Sequence, residues 1–105
     1  MKEIQGGICA AKGFKANGIH CGLRKNKTKR YLALVVSDVR AAAAAVYTTN
    51  LVKGAPILVN QKHLADGYAQ AIICNSGIAN TCNANGVEMA EEMGKLVEKA
   101  TGVKN

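Results

Sequence analysis

The sequence predicts an α/β (α+β) fold of layered type, and three observations predict it. Tyr31 to Ser37 reads as a strand that is apolar on both faces, glycines punctuate short extended pieces before it, and one amphipathic helical pattern closes the chain. Leu32, Leu34 and Val36 point one way from that strand while Tyr31, Ala33 and Val35 point the other. A strand that is dry on both sides lies inside a sandwich rather than on its surface. The length of 105 residues allows one domain or part of one. Hydrophobic residues make up 49%, but seventeen of them are alanine and aromatics are only 4%, so the expected core is thin and needs a partner surface.

Each element follows in chain order. Gly6, Gly7, Gly13 and Gly18 break the first twenty residues into extended pieces, and Ile19 to Leu23 reads as the first strand. The basic stretch Arg24 to Arg30 links it to Tyr31–Ser37 as a hairpin loop. Ala41 to Ala45 favours helix by propensity, but it runs into Val46, Tyr47, Thr48 and Thr49, which predicts a strand from about Ala44. Pro56 is tolerated at a strand start or edge, so Ile57 to Val59 is a further short strand, followed by a polar turn or a single helical turn through His63 and Leu64. Ala71 to Cys74 is another buried strand, opening into the loop Asn75-Ser76-Gly77-Ile78-Ala79-Asn80. The closing helix starts at Asn85 with Glu88 three places on, as in a capping box. Val87, Ala90, Met93, Val97 and Ala100 recur at helical spacing, and Gly102 stops the helix. Gly94 in its interior costs about 1 kcal/mol relative to Ala and points to a close neighbour or a tolerated defect.

Charge and cysteines bound the chemistry. The net charge is +7, and eight bases against one acid, Glu3, lie at or before Arg30. Arg24, Lys25, Lys27, Lys29 and Arg30 can steer an anion or nucleic acid, or form a solvated loop; no aromatic is interleaved to stack on bases. Cys9, Cys21, Cys74 and Cys82 do not stand at the spacing of a zinc-binding loop, so no metal site is readable. The amino terminus lacks the pattern of a signal peptide and the apolar run Ala41–Tyr47 is too short to cross a bilayer, so the expectation is a cytoplasmic chain with reduced, buried thiols.

The candidate site residues are few. His20 next to Cys21 suggests a thiol nucleophile and base, but neighbours on a strand face opposite sides. His63 reads as a surface residue in a polar turn. Asp38 follows the two-faced strand and can orient a catalytic group there or anchor the next turn. Asn75, Ser76, Gly77 and Asn80 are the candidate pocket-lining residues: a buried strand opening into Asn-Ser-Gly can turn backbone amides toward one point, or simply form a turn. The loop lacks the spacing and the Lys-Ser/Thr pair of a Walker phosphate loop, and no other cofactor motif is readable.

Several blocks stand in one order: Gly6-Gly7-Ile8, Gly13-Phe14-Lys15-Ala16, Gly18-Ile19-His20-Cys21-Gly22, Leu32 to Asp38, Val46-Tyr47-Thr48-Thr49-Asn50, Ala55 to Val59, and Asn75-Ser76-Gly77 with Ala79-Asn80. Together they resemble the amino-terminal part of the bifunctional ornithine acetyltransferases, also called glutamate N-acetyltransferases, of arginine biosynthesis. Ile78 stands where that family reads Asn. The resemblance implies a single incomplete domain, residues 1–105, within the α chain of a layered αββα sandwich shared with self-processing aminopeptidases. It implies transfer of acetyl from N-acetylornithine to glutamate, in some members also from acetyl-CoA, through an acetylated threonine freed by self-cleavage at an Ala-Thr bond. The new α-amine beside that hydroxyl can act as its base. Family members are about four times longer than this chain, beyond a single-domain length. Their nucleophile, oxyanion Thr-Gly pair and substrate-binding Lys, Glu and Asn lie beyond the point matching Asn105. The resemblance therefore implies no catalytic residue here, an inactive isolated chain, and as partners the rest of the α chain, the β chain and further copies of the αβ unit. Thr48, Thr49, Thr81 and Thr101 do not stand in the cleavage motif.

Overall fold

The computed structural model describes residues 1–22, 25, 30–77 and 79–105. After a single 3-10 turn at Gly7–Ala10 come β1 (Phe14–Ile19), β2 (Leu32–Ala42), α1 (Ala55–His63), β3 (Tyr68–Asn75) and α2 (Gly86–Thr101). The chain divides into two compact units, Met1–Ala41 with Gln70–Gly77, and Ala42–Ala69 with Ile78–Asn105.

The first unit holds a three-stranded sheet in the order β1-β2-β3. β1 runs antiparallel to β2 in a register from Phe14↔Ser37 to Ile19↔Leu32. The Asp38 amide donates to Gly13 O at 2.8 Å and the Tyr31 amide to Ile19 O at 3.1 Å, extending the ladder at both ends. On the other edge of β2, the Ser76 amide donates to Tyr31 O at 2.8 Å, while Gln70 Nε2 donates to Ser37 O at 3.2 Å. Ser76 beside Tyr31 and Gln70 beside Ser37 means that β3 is antiparallel to β2. Tyr31 and Ser37 are buried on one face of β2, and Leu32, Leu34 and Val36 are half-buried on the other, so both faces are apolar as the alternation predicts.

Three strand expectations are corrected. The first strand is Phe14–Ile19, ahead of Ile19–Leu23, and Leu23 lies outside the described residues. Gly18 does not punctuate it but sits inside it opposite Ala33, held by backbone pairing that needs no side chain. The segment from Ala44 to Thr49 forms no strand. The Asn50 amide donates to Thr48 Oγ1 at 3.2 Å and the Val52 amide to Asn50 Oδ1 at 3.1 Å, so local side-chain bonds take the place of a ladder. Ile57–Val59 belongs to α1, not to a strand, and Pro56 stands in the first turn, where its missing N–H costs nothing.

In the second unit α1 packs on α2, with Ala55, Val59, Gly86 and Val97 buried. α2 ends as predicted: Gly102 adopts φ 75° and its amide donates to Glu98 O at 2.8 Å. Its start differs, because Asn85 occupies the cap position but its side chain makes no capping bond. The neighbour expected at Gly94 is Asn105, whose side chain lies where a Cβ would stand and whose amide donates to Glu98 Oε2 at 3.3 Å. That contact is the free end of a flexible amide. Gly94→Ala is therefore expected to raise stability by up to about 1 kcal/mol through helix propensity, read as a higher urea midpoint. A lower midpoint would show Asn105 to be fixed against the helix.

The core is small. Tyr31, Ala55, Val59 and Val97 are its buried apolar members, and no large side chain among the described residues is fully enclosed. Val39, Ile72, Met89 and Leu96 all stand more than half exposed. The alanine-rich composition forms the elements without covering them.

Candidate functional site

The loop after β3 divides between the two units. Asn75 ends the strand, and Ser76, whose amide is engaged by Tyr31 O, continues the ladder, so that amide is committed to the sheet rather than turned to a pocket. Gly77 stays with the sheet unit, and Ile78 lies outside the described residues.

Asn80 belongs to the helical unit and ties its two helix starts together. Its side-chain Nδ2 donates to Gly86 O at 2.9 Å, its carbonyl accepts the Ala55 amide at 2.9 Å, and its Oδ1 accepts from Asn83 Nδ2 at 3.3 Å. Asn83 Nδ2 also donates to Ala79 O at 3.0 Å, and Gly54 bridges Thr81 in antiparallel fashion. The first amide of α1, one of the donors that a helix start leaves without an intrahelical partner, is thus satisfied by Asn80, whose side chain adds a second bond to the carbonyl that opens α2. Of the four candidate loop residues, the structure gives Asn80 the clearest work.

The other candidates are placed as follows. His20 packs edge-on against Tyr31, with ring centroids 5.0 Å apart and planes at 80°, and among the described residues its buried Nδ1 has no hydrogen-bond partner. Cys21 beside it is exposed. Asp38 is not at a strand end, since β2 continues to Ala42; it faces Lys15 Nζ at 3.5 Å on the exposed side of the sheet. Such an exposed pair is worth little. Cys9, Cys21, Cys74 and Cys82 are all free and exposed, which corrects the expectation of buried thiols. Burial is expected of reduced thiols as small hydrophobes, and the positions that carry them here are open. All four are expected to react with iodoacetamide in the native isolated chain, and mass spectrometry showing protected thiols would contradict the exposed faces. Of the basic stretch, Arg24, Lys27 and Lys29 lie outside the described residues.

One cluster was missed by sequence reasoning. Lys62 Nζ stands 3.3 Å from Glu91 Oε1, and His63 Nε2 stands 3.1 Å from Glu91 Oε2, joining the end of α1 to the middle of α2. His63 is half-buried rather than a surface residue in a turn. The signal is hidden in the sequence because α1 reads there as a strand followed by a turn or a single helical turn. The hydrogen bond from Lys62 holds the Glu91 carboxyl below the usual carboxylate range, against partial desolvation, with His63 adding to the lowering. A depressed folded pKa contributes stability that is full above the unfolded carboxylate pKa and is lost as pH falls through the folded value. Glu91→Gln is expected to remove that acid-dependent part, so that stability falls less between neutral pH and pH 3 than in the parent. Unchanged acid titration of the helix signal would contradict the clasp.

Among the described residues no group of three or more His, Cys, Asp or Glu side chains is placed to hold a metal ion, and no helix is long and apolar enough to cross a membrane. The described residues contain no paired nucleophile and base.

Comparison with known proteins supplies what the site does not. The profile of the ArgJ family matches residues 15–105. The chain is 41% identical to the arginine biosynthesis bifunctional protein ArgJ of Symbiobacterium thermophilum, over 99% of this chain and 26% of that protein. It is 46% identical to the protein of the same name from Gloeobacter violaceus, over 94% of this chain and 25% of that one. A crystal structure of the ArgJ protein of Bacillus halodurans superposes with a TM-score of 0.83 at 40% identity, covering 90% of this chain and 50% of that chain. An ornithine acetyltransferase from Mycobacterium tuberculosis, solved with ornithine, gives 0.77 at 35% identity, over 90% of this chain and 52% of that chain. The chain spans about a quarter of the length of the curated relatives it matches. The ordered blocks, the α+β architecture and these similarities agree, and the chain belongs to the ArgJ family.

Proposed function

We propose that residues 1–105 form a single incomplete domain, the amino-terminal segment of the α chain of an enzyme that transfers acetyl from N-acetylornithine to glutamate in arginine biosynthesis, with acetyl-CoA as a further donor. The observation that carries this reading is 41% identity over 99% of the chain to a protein named for arginine biosynthesis, of which it spans 26%. The unclosed core described above supports it: a segment that leaves Met89 and Leu96 exposed is suited to pack against more polypeptide.

The segment acts as scaffold. An acyl-transfer nucleophile needs a base within hydrogen-bond reach and donors for the developing oxyanion. Thr48 Oγ1 accepts the Asn50 amide, and Thr101 Oγ1 donates to Val97 O at 2.7 Å and accepts the Val103 amide at 3.2 Å, so these hydroxyls serve turns and a helix end. Thr81 enters through its bridge with Gly54. The acetylated threonine, freed by self-cleavage, belongs to the companion polypeptide, and the loop residues Asn75, Ser76, Gly77 and Asn80 sit near the chemistry rather than at it. The assembled enzyme contains further αβ units and works in the cytoplasm, whereas plant relatives such as that of Oryza sativa are named chloroplastic.

Co-expression of this chain with the remaining polypeptide of the Symbiobacterium thermophilum relative tests the reading. The isolated chain is expected to be inactive and the complex to transfer acetyl from N-acetylornithine to glutamate. A folded, complete complex without that activity would overturn it.

A second reading, an anion- or nucleic-acid-binding module, has one observation in its favour. The segments of the sheet unit carry nine bases and two acids, against five of each in the helical unit. It predicts salt-sensitive binding of a polyanion that is lost when Arg24, Lys25, Lys27, Lys29 and Arg30 become Gln. It leaves the family membership unexplained and ranks second.

A further inference from the structure

Two Asn-Gly pairs stand in the chain, Asn17-Gly18 in β1 and Asn85-Gly86 at the start of α2. An asparagine followed by glycine can lose its side-chain amide, because the next backbone nitrogen can reach its Cγ and glycine has no Cβ in the way. What else holds that nitrogen decides whether it does.

The register answers this for Gly18. Gly13 and Asp38 face each other one step beyond the Phe14↔Ser37 pair, and the Asp38 amide donates to Gly13 O at 2.8 Å. Hydrogen-bonded pairs alternate along an antiparallel ladder, so they fall next at Lys15↔Val36, Asn17↔Leu34 and Ile19↔Leu32. Gly18↔Ala33 is therefore a pair of the other kind, and the Gly18 amide points away from β2, to the side of β1 on which the sheet has no further strand. That amide donates to Asn17 Oδ1 at 2.9 Å. The side-chain carbonyl is thus held against the backbone nitrogen that can attack it, and no ladder bond has to break first. Gly86 is the opposite case: its amide donates to Asn83 O at 3.1 Å, and its Cα is closed in by Asn80 and Ala55.

We propose that Asn17-Gly18 is a site of spontaneous deamidation and isomerisation, with water as the only co-reactant, while the fold protects Asn85-Gly86. Hydroxide takes the Gly18 amide proton, the nitrogen bonds to Asn17 Cγ, and the Cγ–Nδ2 bond breaks, Nδ2 leaving as ammonia with a proton from water. Water then opens the five-membered imide. Cleavage of its nitrogen–Cγ bond leaves aspartate; cleavage at the main-chain carbonyl carbon leaves isoaspartate, whose backbone runs through Cγ. Either product sets a carboxylate two residues along β1 from Lys15, on the same face, where it competes with Asp38, now 3.5 Å from Lys15 Nζ. Isoaspartate also lengthens the main chain by a methylene just ahead of the Gly18↔Ala33 and Ile19↔Leu32 pairs, which breaks their register.

The test incubates the chain, alone and co-expressed with the remaining Symbiobacterium thermophilum polypeptide, at mildly alkaline pH. Peptide mass spectrometry reads conversion of amide to acid at both sites, with isoaspartate separated by retention time. Position 17 is expected to convert about tenfold faster than position 85, the ratio set by one hydrogen bond that must break first at Gly86, with isoaspartate among the products. In concentrated urea the two positions are expected to convert at similar rates. Gly18→Ala places a Cβ at ordinary contact distance, 3.7 Å from Arg30 Cβ and from Leu32 O, so the strand is kept. That variant is expected to slow conversion at position 17 severalfold. Equal conversion of the two sites in both native preparations would overturn the proposal, as would faster conversion at position 85, aspartate without isoaspartate, or an unchanged rate in Gly18→Ala. Protection of Asn17 confined to the complex would overturn it for the assembled enzyme.

Discussion

Gly86→Ala is expected to destabilise the helical unit by about 1–3 kcal/mol, the range for overpacking a fixed site. The residue opens α2 at its closest approach to α1. A Cβ there would fall inside contact distance of Asn80 Oδ1 and 2.9 Å from Ala55 Cβ. The Asn80 amide is pinned by its 2.9 Å bond to Gly86 O, and Ala55 is fixed by its own backbone bond to Asn80, so neither neighbour yields without separating the helix starts. This is the opposite of Gly94, where the neighbour is a free side-chain end, and comparison of the two alanine variants isolates packing from helix propensity. Asn80→Ala alone loses the bond to Gly86 O and is expected to cost about 1–2 kcal/mol. In the double variant the contact with Oδ1 disappears, so the combined loss is expected to fall short of the sum by about 0.5 kcal/mol or more. Strict additivity in urea unfolding of the assembled enzyme would show that Asn80 and Gly86 are not a coupled pair.

The second large effect is expected at Tyr31 in the sheet unit. Its side chain is 7% exposed and packs edge-on with His20, while its backbone sits between both neighbours, donating to Ile19 O and accepting from Ser76. Tyr31→Ala removes the largest buried ring in the chain and is expected to cost about 3 kcal/mol, the lower end for an aromatic deletion because the surrounding core is thin. Tyr31→Phe keeps the ring against His20 and is expected to lose much less. Amide exchange at Tyr31 and Ser76 should accelerate in the alanine variant. Retained protection there would mean that the ladder stands without the ring.

The elements legible in the sequence are those whose signal is local and repeated. β2 was read from its alternation, β3 from its apolar run into an Asn- and Gly-rich loop, and the end of α2 from helical spacing stopped by Gly102. β2 extends through Ala41 and Ala42 because pairing overrides the helix preference of alanine. α1 was not legible: Ile57 to Val59 is too short to show a period, and Pro56 serves a helix start as readily as a strand edge. Losing α1 also hid the Glu91 clasp, since Lys62 and His63 meet that carboxylate only when both helices exist. The loop at Asn75 to Asn80 is legible as a special loop, but the role of Asn80 depends on the start of α1, distant in sequence from it, as well as on the nearby start of α2. The exposed cysteines mark the other kind of error: burial is expected of a thiol as a small hydrophobe, and the structure leaves all four exposed.

The central claim is that these two units are parts of a core completed by other polypeptide. Hydrogen exchange and urea unfolding of the chain alone, and again in complex with the remaining Symbiobacterium thermophilum polypeptide, test it most directly. The account predicts a broad, weakly cooperative transition with poorly protected amides in the isolated chain, and one steep transition with protected β2 and α2 amides in the complex. A steep two-state transition of the isolated chain, with the denaturant slope of a closed 105-residue domain and the same protection as in the complex, would contradict it.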